Sequence, residues 1–300
     1  MDRRIVEKLS LLDGVNVDEK GDLALLTGFR TGGCAVTVSP ENREAFLSAV
    51  GCLRETGAEY FVLGNGTNVL AMDEGYDGAV LLTKRALSDI SSDGCLIRAG
   101  AGASLADVCR KACYEGLSGM EFAYGIPGSV GGAVFMNAGA YGGEMKDILV
   151  EAEYLDEEGN TVTIPASELG LAYRSSIFQQ HRRWLILSAA FRLKKGVSKV
   201  IAETMRETMS KRIDKQPLDY PSCGSTFKRP QGNYASKLID DCGLRGFTVG
   251  GAQVSEKHCG FVINRGGATT ADILALIEEV RKKVKEMTGY ELECEIEFLR

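Results

Sequence analysis

Histidine is scarce in this sequence, and its cysteines lack the spacing of a metal site. The chain has two histidines, His181 and His258, and nine cysteines, none of them in a C-x-x-C pair. Cys109 and Cys113 lie one helical turn apart, but only two histidines are available to complete a set of metal ligands. We therefore expect reduced, mostly packed cysteines, with neither a structural metal nor disulfide bonds.

Long apolar runs and an excess of positive charge are also missing. No apolar run reaches the roughly 18 residues that a membrane helix needs, and the charged first residues lead into no signal-peptide core. The net charge of −6 and the pI near 5.3 argue against a nucleic-acid surface, because such a surface is basic. We therefore expect a cytoplasmic protein that binds neither membrane nor nucleic acid.

Glycine, by contrast, is abundant and is gathered in loops. The segment from Gly125 to Tyr141 has glycine at positions 125, 128, 131, 132 and 139, where an ordinary tight turn needs only one or two. A second glycine turn, Gly64 to Asn68, follows an apolar run that begins at Tyr60. Glycine lets backbone N–H groups approach a flat or phosphorylated ligand closely. Two such loops in the first half of the chain predict a site for a large cofactor.

Neither loop matches the common phosphate-binding motifs. The turn at Gly64 has Val69 where the dinucleotide motif G-x-G-x-x-G requires its third glycine, and the turn at Gly100 fails at the same place with Leu105. The motif G-x-x-x-x-G-K-[ST] does not occur. Taken alone, either short turn is more often an ordinary connection between a strand and a loop. The prediction of a cofactor therefore depends on the segment from Gly125 to Tyr141.

Hydrophobic periodicity predicts a chain of mixed helices and strands without repeats. With 300 residues, 44% of them hydrophobic, the chain can bury a large core and suits two or three domains. Helices are predicted over residues 41–55, 104–115, 199–213 and 270–287. Strands are predicted over residues 35–38, 60–63, 78–82, 96–99, 133–137, 149–155, 161–164 and 185–193, with a hairpin loop at 156–160. Strands outnumber helices up to about residue 195, which places a domain boundary there.

A basic loop in the second half carries candidate chemistry. Residues 215–230 place Lys215, Lys228 and Arg229 around Ser225, as an anionic ligand would require. The composition of the loop alone fits a solvated loop equally well. Both interpretations therefore stay open at this point.

The C-terminal segment has an alternating pattern. In residues 292–298 apolar side chains alternate with Glu293, Glu295 and Glu297, which predicts a strand with one packed and one acidic face. An acidic face of this kind usually meets only water. The pattern alone does not make Glu295 catalytic.

Several separate motifs, taken in order, resemble the UDP-N-acetylenolpyruvoylglucosamine reductase family. They are Gly64 to Asn68, Gly125 to Gly132 with Asn137 to Tyr141, Tyr173 to Ile177, Gly224 to Lys228, and Val254 to His258 with Gly260 to Asn264. Members of this family are flavoenzymes that complete UDP-N-acetylmuramate for bacterial peptidoglycan, on which cell shape and division depend. The resemblance runs from about residue 30 to the C-terminus. The stretch from 174 to 193 is too short for the tyrosine-bearing insertion of one branch, so the chain resembles the branch without it.

The resemblance implies a fold, a domain order and a set of ligands. The fold would be α+β, with an FAD-binding domain of the vanillyl-alcohol oxidase type in two α+β lobes, followed by a smaller α+β substrate domain. The FAD-binding domain would span residues 1–195, with its lobe junction near residue 84, and the substrate-binding domain residues 196–300. FAD would bind non-covalently, NADPH would donate the hydride, and UDP-N-acetylglucosamine enolpyruvate would be reduced. We expect a monomer that acts on these small molecules.

The resemblance also implies roles for individual residues. Arg174 and Glu295 would stabilise the enolate-like charge beside the substrate carboxylate, and Ser225 would protonate the α-carbon. Lys215 and Arg229 would bind the substrate. The predicted contacts with FAD are Gly64, Asn65, Gly66, Thr67, Asn68, Gly125, Ile126, Pro127, Gly128, Ser129, Gly131, Gly132, Asn137, Gly139, Ala140 and Tyr141.

Two other classes of protein share parts of this pattern. A flavin-dependent alcohol or sugar oxidase would have the first domain without needing the Ser225 loop, and such enzymes often tether flavin through histidine. His181 and His258 both lie outside the glycine loops, which argues against tethering. A catalytically silent sugar-nucleotide-binding protein would keep the fold, but the intact catalytic set argues against it. His258 and Asn264 also match the family pattern and are better interpreted as structural hydrogen-bonding residues.

Overall fold

The chain forms two units, each built from three segments. The computed structural model describes all 300 residues. The first unit comprises Met1–Asp18, Thr37–Asn65 and Gly78–Arg212, and the second comprises Glu19–Val36, Gly66–Asp77 and Ile213–Arg300. The glycine-rich segment Gly125 to Tyr141 lies in the first unit, whereas the turn Gly64 to Asn68 has its first two residues in the first unit and its last three in the second.

Seven α-helices, eighteen strands and five short 3-10 helices make up the regular structure. The helices are α1 Arg3–Ser10, α2 Arg43–Glu55, α3 Leu105–Tyr114, α4 Val130–Phe135, α5 Ser198–Lys215, α6 Ala235–Asp241 and α7 Thr270–Thr288. The strands are β1 Val15–Asp22, β2 Cys34–Pro40, β3 Tyr60–Leu63, β4 Val69–Ala71, β5 Ala79–Leu82, β6 Ile90–Asp93, β7 Leu96–Gly100, β8 Leu117–Ser118, β9 Gly139–Ala140, β10 Gly143–Glu144, β11 Leu149–Leu155, β12 Thr161–Pro165, β13 Leu185–Arg192, β14 Lys194–Lys195, β15 Thr248–Val249, β16 Ala252–Val254, β17 Val262–Asn264 and β18 Glu297–Leu299. No helix combines the length and the apolar character needed to cross a bilayer.

The first unit has a five-stranded antiparallel sheet with strand order β12-β11-β13-β7-β6. Its centre is lined by small residues, since Ala189 of β13 lies between Ala152 of β11 and Ala99 of β7. Small side chains leave room for helix α4, which packs on β13 and β7. The buried core on this sheet includes Phe178 and Phe191. This packing holds α4, and with it the glycine-rich segment, against the sheet.

A second sheet, with strand order β1-β2-β5-β3, positions the other glycine turn. Strands β3 and β5 are parallel, with Tyr60 opposite Ala79. Helix α2 begins after Asn42, whose side chain accepts the N–H of Ala45 at 2.9 Å, and it buries Phe46 among other apolar side chains. Because β3 ends at its buried residue Leu63, the Gly64 turn emerges directly from a fixed strand.

The second unit is organised around helix α7 and the antiparallel sheet β15-β16-β17. The helix begins with a capping box between Thr269 and Asp272 and ends at Gly289, which has a φ of 76°. Ile273 and Ile277 are among the buried side chains that α7 contributes to the core of this unit. Strand β18 pairs in parallel with β4 in the same unit.

All four predicted helices and seven of the eight predicted strands upstream of the C-terminal segment are confirmed, with ends shifted by no more than two residues. The hairpin loop at 156–160 is also confirmed, because the Asp156 N–H donates to the Asn160 carbonyl at 2.9 Å between β11 and β12. On α7, the apolar residues Ile273, Ile277, Val280 and Val284 are buried, whereas Met287 is 63% exposed because it lies in the last helical turn, beyond the core.

The strand predicted over residues 133–137 is wrong, because helix α4 covers most of it. Ser129 caps the helix by accepting the Gly132 N–H at 3.3 Å, and Val130, Ala133 and Val134 bury one helical face. A short apolar run fits a buried strand and a buried helix equally well, so its period could not decide between them. The cap at Ser129 and the packing on the sheet select the helix.

The strand predicted over residues 292–298 is present only at its end, as β18. Upstream of β18 the chain changes partner: the Lys228 N–H donates to the Glu293 carbonyl at 2.8 Å, and Cys294 forms an isolated bridge with Phe227. Two short pairings with different partners replace one continuous strand. Leu292 and Ile296 are nevertheless buried, as the alternation predicts.

Removal of the Asn264 side chain should destabilise the protein. Asn264 is 6% exposed, donates to the Phe29 carbonyl at 3.0 Å, and accepts the N–H groups of Gly266 at 2.8 Å and Ala268 at 3.2 Å. Asn264→Ala should lower the free energy of unfolding by about 2–4 kcal/mol, because the buried carbonyl of Phe29 and two loop N–H groups lose their partner. Urea unfolding measures this loss. Asn160→Ala, which removes an exposed hydrogen bond to Asp156, should cost less than about 1 kcal/mol, and an equal loss in both variants would contradict the prediction.

The ion pair between Arg43 and Glu153 should make stability depend on pH. Their atoms Nη1 and Oε2 lie 2.6 Å apart, and the Glu153 side chain is 25% exposed. The Arg43 hydrogen bond holds the pKa of Glu153 below its usual value, against the effect of burial. The pair therefore stabilises the folded state fully above the unfolded pKa, and the contribution disappears as pH falls through the folded pKa.

The variant Glu153→Gln tests this dependence. At pH 7 it should unfold with about 1 kcal/mol less free energy than the parent, a value reduced for partial exposure of the pair. As the pH falls below the Glu153 pKa, the two proteins should converge in guanidinium unfolding experiments. A difference that stays constant with pH would show that the loss comes from packing and not from the charge.

Candidate functional site

The two glycine loops meet within the first unit. A Cβ atom at Gly64 would collide with the hydroxyl of Ser129, so the two backbones approach as closely as side chains permit. The Asn65 side chain donates a hydrogen bond to the Pro127 carbonyl at 2.9 Å. The structure therefore brings together residues that the sequence separates by more than sixty positions, all of them predicted FAD contacts.

Some N–H groups of the glycine-rich segment already donate hydrogen bonds within the protein. The Val130 N–H donates to Ala103 at 2.9 Å and the Gly131 N–H donates to Ala101 at 2.8 Å. A Cβ at Gly131 would stand 2.9 Å from the Ala101 Cβ, which accounts for glycine at this position. Contacts of these helical residues with a cofactor stay a prediction.

Asn137 fixes the end of the same segment. Its side chain is fully buried and its φ is 42°, a left-handed conformation that asparagine tolerates better than most residues. Its Nδ2 donates to Glu144 Oε2 and to the Ala172 carbonyl, both at 2.9 Å, and its Oδ1 accepts the Lys146 N–H at 2.9 Å. With both amide hydrogens used inside the protein, Asn137 positions its neighbours.

One of those neighbours is the turn that carries Arg174. Ala172 and Ser175 exchange two backbone hydrogen bonds, and Arg174 lies at the tip of the turn with a φ of 53°. The Gln179 amide donates to the Arg174 carbonyl at 2.9 Å and to the Phe135 carbonyl at 3.2 Å. Sequence reasoning missed the role of Gln179, since a lone glutamine in a loop carries no pattern. These contacts hold the Arg174 turn against the end of α4.

A carboxylate interacts with the charge of this turn. The pKa of Glu144 lies below its usual value, chiefly because Lys146 donates a hydrogen bond to it, with Asn137 and the charge of Arg174 adding to the effect against burial. The Arg174 guanidinium also lies 5.2 Å from the centre of the Tyr173 ring, within the range of a cation–π contact. Arg174 is therefore a positioned cation beside an ionised carboxylate.

In the second unit, the Ser225 loop lies beside Glu295. Ser225 follows Gly224, whose φ of 73° turns the chain, and the next residue, Thr226, accepts the Glu295 N–H at 2.9 Å. The Asn68 side chain donates to the Glu295 carbonyl at 2.9 Å. The structure thus gathers three predicted site residues, Ser225, Glu295 and Asn68, on adjacent segments of one unit.

The positive charge predicted around Ser225 is smaller than the composition suggests. Lys228 forms an ion pair with Glu293, with Nζ and Oε1 2.5 Å apart. The Arg229 guanidinium lies 4.8 Å from the centre of the Tyr234 ring, and Lys215 is the exposed last residue of α5. Lys228 is thus neutralised by a carboxylate, whereas Lys215 and Arg229 have exposed side chains.

His258 and Asn264 agree with their interpretation as structural residues. The His258 Nδ1 accepts the Gly260 N–H at 3.2 Å, its ring packs edge-on against Phe261, and burial lowers its pKa. Asn264 bonds three backbone groups within the second unit. The His258 side chain holds the loop that follows β16, and the Asn264 side chain holds the loop that follows β17.

The nine cysteines are free thiols, and no group of three histidine, cysteine or acidic side chains lies close enough to hold a metal ion. Burial raises the pKa of Cys223 to about 12 and that of Cys259 to about 11. A thiol with so high a pKa stays protonated near pH 7 and is a poor nucleophile. These two cysteines act as packed side chains.

The predicted site residues divide between the two units. The first unit contains Gly64, Asn65, the segment 125–141 and Arg174, and the second contains Gly66, Thr67, Asn68, Lys215, Ser225, Arg229 and Glu295. Within each unit the structure brings several of them together. Their individual contacts with ligands stay predictions.

Two family models match the chain and divide it in the same order as the predicted chemistry. The FAD binding domain model matches residues 34–165, and the model of the UDP-N-acetylenolpyruvoylglucosamine reductase C-terminal domain matches residues 216–299. The α+β fold class and the FAD cofactor are thereby confirmed.

The residues of the first unit fit a flavin nucleotide. Gly64 and Gly131 lie where a side chain would collide with neighbouring atoms. The backbone at these positions therefore has no side chain and packs closely against its neighbours. Backbone that lacks side chains and is held in place is an arrangement that lets proteins approach nucleotide phosphates closely. The loop 125–129 with Gly64 and Asn65 would hold the cofactor.

Similar proteins agree with this assignment. UDP-N-acetylenolpyruvoylglucosamine reductases from Caldanaerobacter subterraneus subsp. tengcongensis and from Agathobacter rectalis are each 47% identical to the chain, covering 91% of it and 90% of their own length. The crystal structure of the Thermus caldophilus reductase is 34% identical, covers 95% of this chain and 100% of its own, and superposes with a TM-score of 0.79. The chain belongs to the UDP-N-acetylenolpyruvoylglucosamine reductase family of FAD-containing oxidoreductases.

Proposed function

We propose that the chain reduces UDP-N-acetylglucosamine enolpyruvate to UDP-N-acetylmuramate at the expense of NADPH, a step in peptidoglycan precursor synthesis. The observation that carries this proposal is the 47% identity, over nine-tenths of the chain, to proteins named for the reduction of an enolpyruvyl sugar nucleotide. The match to an FAD binding domain supports the proposal, because the proposed reaction requires a flavin cofactor. We further propose that the protein acts in the cytoplasm as a monomer.

We propose two domains with separate functions, and they correspond to the two regions that the family models match. Residues 1–195 would form the FAD-binding domain in two lobes that meet near residue 84, and residues 196–300 would form the substrate-binding domain. The FAD binding domain model lies within the first range and the reductase C-terminal model within the second, which supports this order. The two structural units follow different bounds, since residues 19–36 and 66–77 belong to the same unit as the C-terminal segment.

The proposed reaction adds two hydrogens to a carbon–carbon double bond. The chemistry that FAD supplies when bound is transfer of a hydride from NADPH to the methylene carbon of the enolpyruvyl group. The substrate's α-carbon then carries carbanion character next to its carboxylate. The residues of the chain must stabilise this charge and deliver one proton.

Arg174 and Glu295 are proposed to stabilise the developing charge. Arg174 would act as a cation beside the substrate carboxylate and Glu295 through a shared proton, and groups already in position lower the energy of an enolate-like state because they need no rearrangement when the charge appears. The hydrogen bonds from Gln179 and Asn137 to the Arg174 turn support such a fixed position. The backbone pairing between Thr226 and Glu295 supports a fixed position for the main chain from which the Glu295 side chain extends.

Ser225 is proposed to protonate the α-carbon. A hydroxyl is a weak acid, but a carbanion is strongly basic, so a correctly placed donor suffices. Gly224 gives the loop its turn, and the bonds of Thr226 to Gly260, at 2.8 Å, and to Glu295 hold the residue next to Ser225 in place. Lys215 and Arg229 are proposed to bind the phosphates of the sugar nucleotide, since both are exposed cations near the ends of this loop.

Product analysis tests the proposed function. The purified protein with FAD should oxidise more than one equivalent of NADPH per flavin only when UDP-N-acetylglucosamine enolpyruvate is present, and mass spectrometry should find a product heavier than the substrate by two hydrogens. NADPH oxidation that proceeds without this substrate and consumes oxygen would instead indicate an oxidase. Binding of the sugar nucleotide without turnover would indicate a silent binding protein.

Ser225→Ala should separate the two halves of the reaction. The variant should let NADPH reduce the flavin at the parent rate, while the enolpyruvyl substrate should reoxidise it at least about a hundredfold more slowly, because one general acid contributes roughly that factor. Anaerobic stopped-flow spectroscopy measures both steps. Ser222→Ala removes a hydroxyl from the same loop and should leave both rates unchanged. Equal slowing of both steps in Ser225→Ala would contradict the role of proton donor.

A further inference from the structure

Helix α5 carries a partly buried arginine that has no partner in the protein. Arg212 makes no hydrogen bond, and no carboxylate lies within ion-pair distance of its guanidinium; the one charge interaction that it has is with the neutral phenol of Tyr141. Burial lowers its pKa from the ordinary value. A cation withdrawn from water without a counter-charge destabilises the folded state unless a ligand provides that charge.

The neighbours of Arg212 belong to the glycine-rich segment. A Cβ atom at Gly125 would stand 3.0 Å from the Arg212 Cδ, so glycine at position 125 leaves the space through which the arginine side chain passes. The charge of Arg212 also acts on Tyr141, at the other end of the segment, where it lowers a pKa that burial raises. Arg212, Gly125 and Tyr141 all lie in the first unit.

Neither family model covers this residue. The FAD binding domain model ends at residue 165 and the reductase C-terminal model begins at residue 216. Sequence reasoning also passed over Arg212, because α5 has many charged side chains and its pattern does not mark one of them as buried. Only the structure distinguishes Arg212 from the exposed Lys211 beside it.

We propose that Arg212 is an anion-binding residue of the FAD site and that its guanidinium pairs with negative charge on the bound flavin nucleotide. Guanidinium is well suited to this because its planar donors match phosphate oxygens and it stays charged at any physiological pH. FAD has two sources of such charge, the diphosphate and the ring after reduction. The inference rests on the FAD-binding domain and not on the identity of the substrate that is reduced, so the two can fail separately.

Stability without cofactor gives the first test. In the FAD-free protein, Arg212→Met should unfold at the same temperature as the parent or a higher one, because the variant removes an unpaired cation from a partly buried position. If Arg212 were only a packing residue, the FAD-free variant would unfold at a lower temperature. Thermal unfolding followed by circular dichroism measures the difference and shows at once whether the variant is folded.

Affinity for FAD gives the second test. Titration of FAD-free protein should give a dissociation constant about ten- to a hundredfold higher for Arg212→Met than for the parent, as expected for loss of one charge-assisted hydrogen-bonded pair. Arg212→Lys should recover part of this loss. Lys211→Met, which removes an exposed charge from the neighbouring position, is the matched control and should bind FAD like the parent.

The reduction potential of the bound flavin distinguishes the two sources of charge. If the diphosphate is the partner, both oxidised and reduced FAD bind more weakly and the potential is unchanged. If the reduced ring is the partner, each tenfold selective loss of affinity for reduced FAD lowers the potential by about 30 mV. Either result supports the proposal. An Arg212→Met protein whose FAD affinity and potential both equal those of Lys211→Met would overturn it.

Discussion

The buried side chain of Asn137 is the constraint on which the first unit's candidate site depends. Its three hydrogen bonds join the end of the glycine-rich segment to the Arg174 turn and to the hairpin that contains Glu144. The left-handed φ of Asn137 lets the chain reverse there, and full burial leaves no water to replace a lost bond. The predicted cofactor loop and the predicted catalytic arginine are thus parts of one hydrogen-bonded assembly. The position of Arg174 follows from the same contacts that shape the loop.

The site combines rigid, bare backbone with charge that the protein itself does not balance. Glycine at positions 64 and 131 lets neighbouring segments touch, and this rigidity is an advantage for binding because little order remains to be gained when a ligand arrives. Arg212 supplies the unbalanced charge, because no counter-charge within the chain pairs with its guanidinium. Such a residue lowers the stability of the FAD-free protein and makes FAD binding more favourable. Selection for function rather than for stability explains an arrangement of this kind.

The sequence predicted those parts of the fold that local patterns determine. Helices with clear caps, such as α3 after Ser104 and α7 after Thr269, and strands with apolar runs, such as β3 and β11, were found close to their observed ends. Where tertiary packing determines the secondary structure, local sequence patterns did not predict it correctly. The run 133–137 became part of a helix because Ser129 caps it against the sheet, and the strand 292–298 was divided between two partners. For the site, motifs indicated Gly64, Arg174 and Ser225, whereas Gln179 and Arg212 became visible only through hydrogen bonding and burial.

The central claim is that the chain moves electrons from NADPH through FAD to an enolpyruvyl sugar nucleotide. Anaerobic visible spectroscopy of the purified holoenzyme tests it most directly. NADPH should bleach the flavin band, and addition of UDP-N-acetylglucosamine enolpyruvate should restore it in the absence of oxygen. A flavin band that NADPH bleaches but that only oxygen restores would contradict the account.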